Sequence, residues 1–231
     1  MRNSSGNDLV YLPVTRSERT RLPRFYSRIL TAAEVEGFAR LAVSGLPFDH
    51  YVWLCWSVKE SVYKYQKRLF PELVFAPLRI EVQQIDPPCG DVYFYAGIVV
   101  AQRLVGPTGV AGQTLCSRTW VRDGVIVTIV SEDQQFTDTH WGFSAIDSAT
   151  YADQSAAVRK LALGELSSVL SRDDLRLEKD AAGCPIVLAG DQPLAIPISL
   201  AHHERFIAYS FCSKYVPEMR FSKTSAFLAK R

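Results

Sequence analysis

The chain is short of the features that would place it quickly. Its five cysteines, Cys55, Cys89, Cys116, Cys184 and Cys212, are odd in number and widely scattered. No two have C-x-x-C spacing, so neither a cysteine zinc site nor a disulfide framework is indicated, and most read as small buried hydrophobes. No uncharged apolar run reaches the roughly eighteen residues of a membrane helix, and no signal-peptide pattern opens the sequence. A reducing, cytoplasmic setting and no membrane partner are expected. The net charge of +2 is too slight for a protein built to hold nucleic acid. There is no internal repeat and no low-complexity tract. Between residues 75 and 146 no nucleophile–base pair can be recognised, so that stretch offers no covalent catalysis.

What is present is a chain of 231 residues with 48% hydrophobic content, enough to bury a core as one large domain or two small ones. Arg16, Arg19, Arg21, Arg24 and Arg28 crowd into one stretch broken only by Glu18. Such a cluster attracts an acidic partner, or is a solvated arm. The stretch Trp56-Ser57-Val58-Lys59-Glu60-Ser61-Val62-Tyr63-Lys64 organises the rest. As a helix it aligns Glu60, Lys64, Lys67 and Arg68 on one stripe and turns Val58, Val62, Tyr65 and Leu69 to a core, with Trp53 and Trp56 as anchors. A carboxylate with cations behind it suits a divalent metal and a polyphosphate. It is equally the pattern of an exposed i,i+4 pair, about 0.3–0.5 kcal/mol on any surface helix.

Residues 6–12 read as a short strand carrying Asp8, which is a turn or capping residue unless something else uses it. Thr31 and Glu34 form a capping box that opens a helix buried through Val35, Phe38, Leu41 and Ala42 and stopped by Gly45 and Pro47. The helix of the organising stretch should end before Pro71. From Phe75 to about Ile146 the pattern is of a meandering antiparallel sheet, with Pro-Pro, Gly-Pro and Asp-Gly turn signals. His140-Trp141 is expected in a polar loop. Ala156 to Val169 is helical, Leu175 to Glu178 and Pro185 to Leu188 are extended, and Asp180 to Cys184 is a turn. A last strand pair, Ile196 to Leu200 and Phe206 to Phe211, is split by a polar break at 201–205. The tail after Pro217 is basic and loosely held.

These pieces, in this order, resemble the 4′-phosphopantetheinyl transferase superfamily. Gly6-Asn7-Asp8-Leu9-Val10 is similar to its G-x-D strand. Trp56 to Lys64 is similar to its W-[ST]-x-K-E-[AS]-x-x-K helix throughout. Ser199-Leu200-Ala201-His202 and the strand after it resemble its S-x-S-H corner, and Phe25 to Glu34 its R-F-L-x-x-x-E entry. The resemblance covers roughly residues 6–70 and 156–211. The order of motifs is that of the small holo-acyl-carrier-protein synthase type, while the length is that of the two-domain type. The resemblance therefore implies an α+β fold of two similar halves, a pseudo-dimer with the site at their interface. One half is expected over 1–150 and the other over 151–231, and a monomer suffices.

The activity implied is Mg²⁺-dependent transfer of the phosphopantetheine arm from coenzyme A to a serine of an apo acyl, aryl or peptidyl carrier protein, with release of 3′,5′-ADP. By resemblance Asp8 and Glu60 hold the metal, and Glu60 or a metal-bound water is the general base. Lys64 contacts phosphate, while His202 and Ser199 hold coenzyme A from the other half. Lys59 faces solvent or touches phosphate, and Arg24 and its neighbours meet coenzyme A or the carrier's acidic helix. Three positions depart from the pattern. Val10 stands where many relatives have a second acid, so two protein carboxylates should hold the metal. Ala201 replaces the second serine, and Gly183-Cys184-Pro185 lacks the usual cation. His203, beside His202, leaves open which histidine is used. The alternative is a non-catalytic relative that binds a carrier protein or coenzyme A; retention of Asp8, Glu60 and Lys64 together argues against it.

Overall fold

The computed structural model describes residues 4–42, 44–105, 109–148 and 150–214. The tail after Pro217 and the Gly106-Pro107 turn signal lie outside the described residues. The first strand, β1 (Gly6–Tyr11), is followed by two short helices, α1 (Ser17–Thr20) and α2 (Pro23–Tyr26), then by α3 (Ala32–Ala42) and the long α4 (Phe48–Leu69). Strands β2 (Ile80–Asp86), β3 (Tyr95–Val105), β4 (Gly109–Arg122) and β5 (Val125–Ser131) form the expected meander. β1 joins it antiparallel to β5, giving the order β1-β5-β4-β3-β2. Next come β6 (Thr139–Ala145), α5 (Tyr151–Leu170), β7 (Leu175–Lys179), β8 (Pro185–Ala189), β9 (Gln192–Leu194), β10 (Ile198–His203) and β11 (Phe206–Cys212). Two further antiparallel sheets, β10-β11-β6 and β7-β8-β9, complete an α+β architecture.

α4 owes its length to apolar residues at helical spacing, with Val52, Cys55, Val58, Val62 and Tyr65 almost wholly buried against the main sheet. Its first turn carries Asp49, a favourable charge at the positive end of the helix dipole. Asp49 accepts from Ser17 Oγ at 2.7 Å and from the Arg21 guanidinium at 2.7 and 3.1 Å, which fastens α1 to the start of α4. Burial would raise the Asp49 pKa, but these hydrogen bonds bring it below the usual carboxylate value. At the other end the Lys67 ammonium donates to the Pro71 and Leu73 carbonyls, so the helix stops before Pro71. The capping box forms as expected: Thr31 N donates to Glu34 Oε2 at 2.7 Å and Glu34 N to Thr31 Oγ1 at 3.2 Å.

β1 is buried along nearly its whole length because both faces are covered. α4 crosses one face, and Leu9 on the other joins Val125, Val127, Ala201 and Ala208 in a cluster shared with the second sheet. The crossing is too close for a side chain. A β-carbon on Gly6 would overlap the Ser61 carbonyl oxygen and press on the Tyr65 backbone. Among the described residues no strand forms a ladder with the outer edge of β1; side chains of β10 satisfy it instead. Asn7 N donates to Ser199 Oγ at 3.1 Å and Tyr11 N to His203 Nδ1 at 3.0 Å.

Several expectations are corrected. His140-Trp141 is not in a loop but in β6, where His140 stacks on Phe211 with ring centroids 4.7 Å apart. Residues 201–203 are not a break but the end of β10, and the turn is Glu204-Arg205 with Glu204 at φ 54°. Ala42 is exposed. β6 pairs with β11, so a boundary at residue 150 cuts through a sheet. Lys59 is neither solvent-facing nor within reach of a phosphate: it is fully buried in an ion pair with Glu34 at 2.7 Å.

Because the atoms facing Gly6 are helix backbone, relief requires α4 to move. Gly6→Ala should cost at least about 2 kcal/mol in urea denaturation, and a loss below a few tenths would show that the contact relaxes freely.

Candidate functional site

The crossing at Gly6 brings Asp8, two residues on and on the same face, up to the polar stripe of α4. Lys64 Nζ donates to Asp8 Oδ1 at 3.0 Å and lies 3.6 Å from Glu60 Oε1. The two acids that the sequence reading paired therefore converge on one ammonium. Asp8 is buried, with a side-chain exposure of 7%, while Glu60 and Lys64 keep 29% and 25%. Asp8 Oδ2 is buried and finds no partner among the described residues. A carboxylate oxygen left dry beside a second carboxylate is a demand for a cation.

Burial, and then the charge of Asp8, raises the Glu60 pKa against the pull of Lys64 and a hydrogen bond from the Trp56 side chain. Burial alone would lower the Lys64 pKa; the two acids overcome it and leave it raised. The trio is thus a charged cluster with one surplus negative charge and a glutamate readier than usual to take a proton. Among the described residues no group of three or more His, Cys, Asp or Glu could hold a metal. A metal here would have two protein carboxylates, Asp8 and Glu60, with water or ligand oxygens completing its shell. Magnesium accepts such a set, and the unpartnered Asp8 Oδ2 fits it.

Beside the trio opens a cavity of about 330 Å³ between α4, α5, β10 and the turn before β8. Lys64, Lys67, Arg68, Arg159, Lys179 and His202 line it, and none of its described lining residues is Asp or Glu. Its chemistry is that of an anion site with apolar walls, which is how a nucleotide is held. Not every cation is at liberty. Arg68 Nη2 donates to the Ile198 and Pro185 carbonyls at 2.5 and 2.7 Å, tying α4 to β10 and β8, and Arg159 Nη1 donates to Leu177 O at 3.2 Å.

The histidine ambiguity has a geometric answer. His202 lines the cavity, with the Tyr151 ring edge-on to it at 5.2 Å. Burial and the charges of Lys64 and His203 lower its pKa. His203 instead spends Nδ1 on the Tyr11 N–H. Ser199 also lines the cavity, while its hydroxyl accepts the Asn7 N–H. Arg24 is exposed on α2 and is not among the cavity's residues, and Arg21 is committed to Asp49. Sequence reasoning missed Tyr151, Arg159 and Lys179, which no motif marks. It also read Glu34 only as a cap. The position of Lys59, one turn from both Cys55 and Val62 on the apolar side of α4, is the signal that would have called for a buried partner.

The His203 contact should be visible in stability. Its Nδ1 can accept only while unprotonated, and burial holds the pKa below the usual 6.5 against the pull of Glu204 and Glu60. The unfolded chain takes up a proton below about that value and the folded chain does not. The contribution is therefore present above pH 6.5 and lost as pH falls through the lower folded value. Urea denaturation should show stability declining from about pH 7 to 5. His203→Asn, whose carboxamide oxygen can accept the same N–H, should flatten part of that decline; an unaltered slope would assign it elsewhere.

Among the described residues no helix is long and apolar enough to cross a membrane. No curated protein shows a significant match to the chain. Residues 4–98, the part of the chain that carries Asp8, Glu60 and Lys64, match the family model of the 4′-phosphopantetheinyl transferase superfamily.

Proposed function

We propose that the chain is a holo-acyl-carrier-protein synthase: it transfers the 4′-phosphopantetheine arm of coenzyme A to a serine hydroxyl of an apo carrier protein, with Mg²⁺, and releases 3′,5′-ADP. The observation that carries this reading is the convergence of Asp8 and Glu60 on Lys64 at the mouth of a cation-lined cavity. Coenzyme A is an anion with a flat base, and the cavity offers it His202, Arg159 and Lys179 with the exposed Tyr151 ring at the rim. Lys64, which belongs both to the trio and to the cavity wall, would take a pyrophosphate oxygen.

Asp8 and Glu60 would hold Mg²⁺, which when bound neutralises the pyrophosphate charge. The serine oxygen forms a bond to the β-phosphorus as the bond from that phosphorus to the bridging oxygen breaks. The hydroxyl proton goes to a carboxylate oxygen of Glu60, and the charge left on 3′,5′-ADP is held by the cavity's cations. We read the two sides as the paired halves of a pseudo-dimer, α4 serving one and α5 the other, so that one chain supplies the whole site. The exposed arginines of α1 and α2 stand as contacts for an acidic carrier helix. All five cysteines are unpaired, which supports the cytoplasmic assignment.

Incubation with coenzyme A, Mg²⁺ and an apo carrier should add the mass of one phosphopantetheine arm to the carrier, and chelation should abolish the gain. No gain across a panel of fatty-acid, polyketide and peptide-synthetase carriers would overturn the proposal. Glu60→Gln should lower kcat by about a hundredfold or more with little change in unfolding, because a partly exposed carboxamide costs little stability. Asp8→Ala should raise the Mg²⁺ requirement; an unchanged titration would reduce Asp8 to a strand residue.

A further inference from the structure

We infer that the buried Glu34–Lys59 ion pair is the positioning element that sets the rotation of α4 about its own axis and so aims Glu60 and Lys64 at Asp8. The inference rests on the proposed function for its kinetic consequences, but not for its geometric one. Both side chains are 0% exposed, and their charged atoms meet at 2.7 Å. Lys59 Nζ also donates to Ile29 O at 2.6 Å. Glu34 Oε2 takes the Thr31 N–H at 2.7 Å as well, and Oε1 takes the Val82 N–H at 2.8 Å. Four segments are thereby pinned to one point: the stretch before α3, the first turn of α3, the middle of α4, and β2.

Apolar packing holds a helix against a sheet without strongly preferring one azimuth, because it is non-directional. Short hydrogen bonds between charged groups fixed on separate elements do prefer one. Successive helix residues are about 100° apart, so a Lys59 locked toward Glu34 leaves Glu60 one step round, at the edge of the buried face. Lys64, one turn beyond Glu60, then falls over Asp8. A buried ion pair is often no more stabilising than apolar residues of its size. Orientation, rather than stability, is what this one contributes.

The test is the double variant Glu34→Gln with Lys59→Met, which buries no unpaired charge and keeps an acceptor for the Val82 N–H. It should melt within ~5 °C of the parent, yet require about tenfold more Mg²⁺ for half-maximal rate and show a kcat at least about tenfold lower. Its crystal structure should show Lys64 Nζ drawn more than 4 Å from Asp8, against 3.0 Å here. A double variant with parental kcat, parental Mg²⁺ dependence and the Lys64–Asp8 contact closed would overturn the inference. If the parent itself transfers no arm, the proposed function fails and the crystallographic distance alone decides this point. Should the double variant not fold, Glu34→Asp, which keeps both charges and shortens one arm of the pair, is put to the same measurements.

Discussion

The structure depends on how closely α4 lies against β1. A helix packed on a sheet normally stands off by the length of the side chains between them, about 10 Å from axis to sheet. At Gly6 that layer is missing, and the strand backbone meets the Ser61 and Tyr65 backbone directly. Two residues along, Asp8 reaches the helix at a point where a normal spacing would have left its short side chain stranded. A longer acid could bridge a wider gap, but with more rotamers to fix. The glycine and the aspartate are one device: the first removes the spacer, and the second uses the proximity.

Having been brought close, the charges must be balanced. Asp8 is almost fully enclosed, and a lone carboxylate there would be costly. Lys64 offsets that cost, at the expense of having its own ammonium held between two acids on strand and helix. Deeper in the same helix, Lys59 and Glu34 repeat the arrangement with no exposure at all, where removing one partner would cost about 3–5 kcal/mol. α4 thus carries two lysines of opposite character. One is immobilised in the core, while the other sits on the boundary between an acid pair and a cationic cavity.

Much of this was legible in the sequence, and what was not has physical reasons. α4 could be read because its apolar residues recur through six turns, and its buried face follows that pattern except at Asp49, Ser57, Lys59, Ser61 and Gln66. The capping box was legible because both its bonds are local. The second use of Glu34 was not, since Lys59 and Val82 lie 25 and 48 residues away. His140-Trp141 was misread because β6 is a half-exposed edge strand rich in polar residues, which weakens alternation. The histidines of β10 looked like a break for a related cause. Their polarity serves contacts across the fold, His203 to β1 and His202 to the cavity, rather than a turn. The motifs marked Asp8, Glu60, Lys64, Ser199 and His202. That Arg159, Lys179 and Tyr151 complete the cavity comes from the packing of α5 and β7, which no local pattern records.

The joint between the first sheet and the β10-β11-β6 sheet follows from the outer edge of β1. An unpaired strand edge invites another strand, and β10 lies beside it, yet the described bonds there run from the β1 backbone to side chains of β10. Side-chain acceptors stand where the carbonyls of a ladder would be, so the two strands are joined without one continuous sheet. Arg68 then spans the remaining gap, holding carbonyls of β8 and β10 from the last turn of α4. A continuous sheet through β1 and β10 would bring their backbones together along the seam. The cavity opens at this joint, and Ser199 and Arg68 both bind across it and line the cavity.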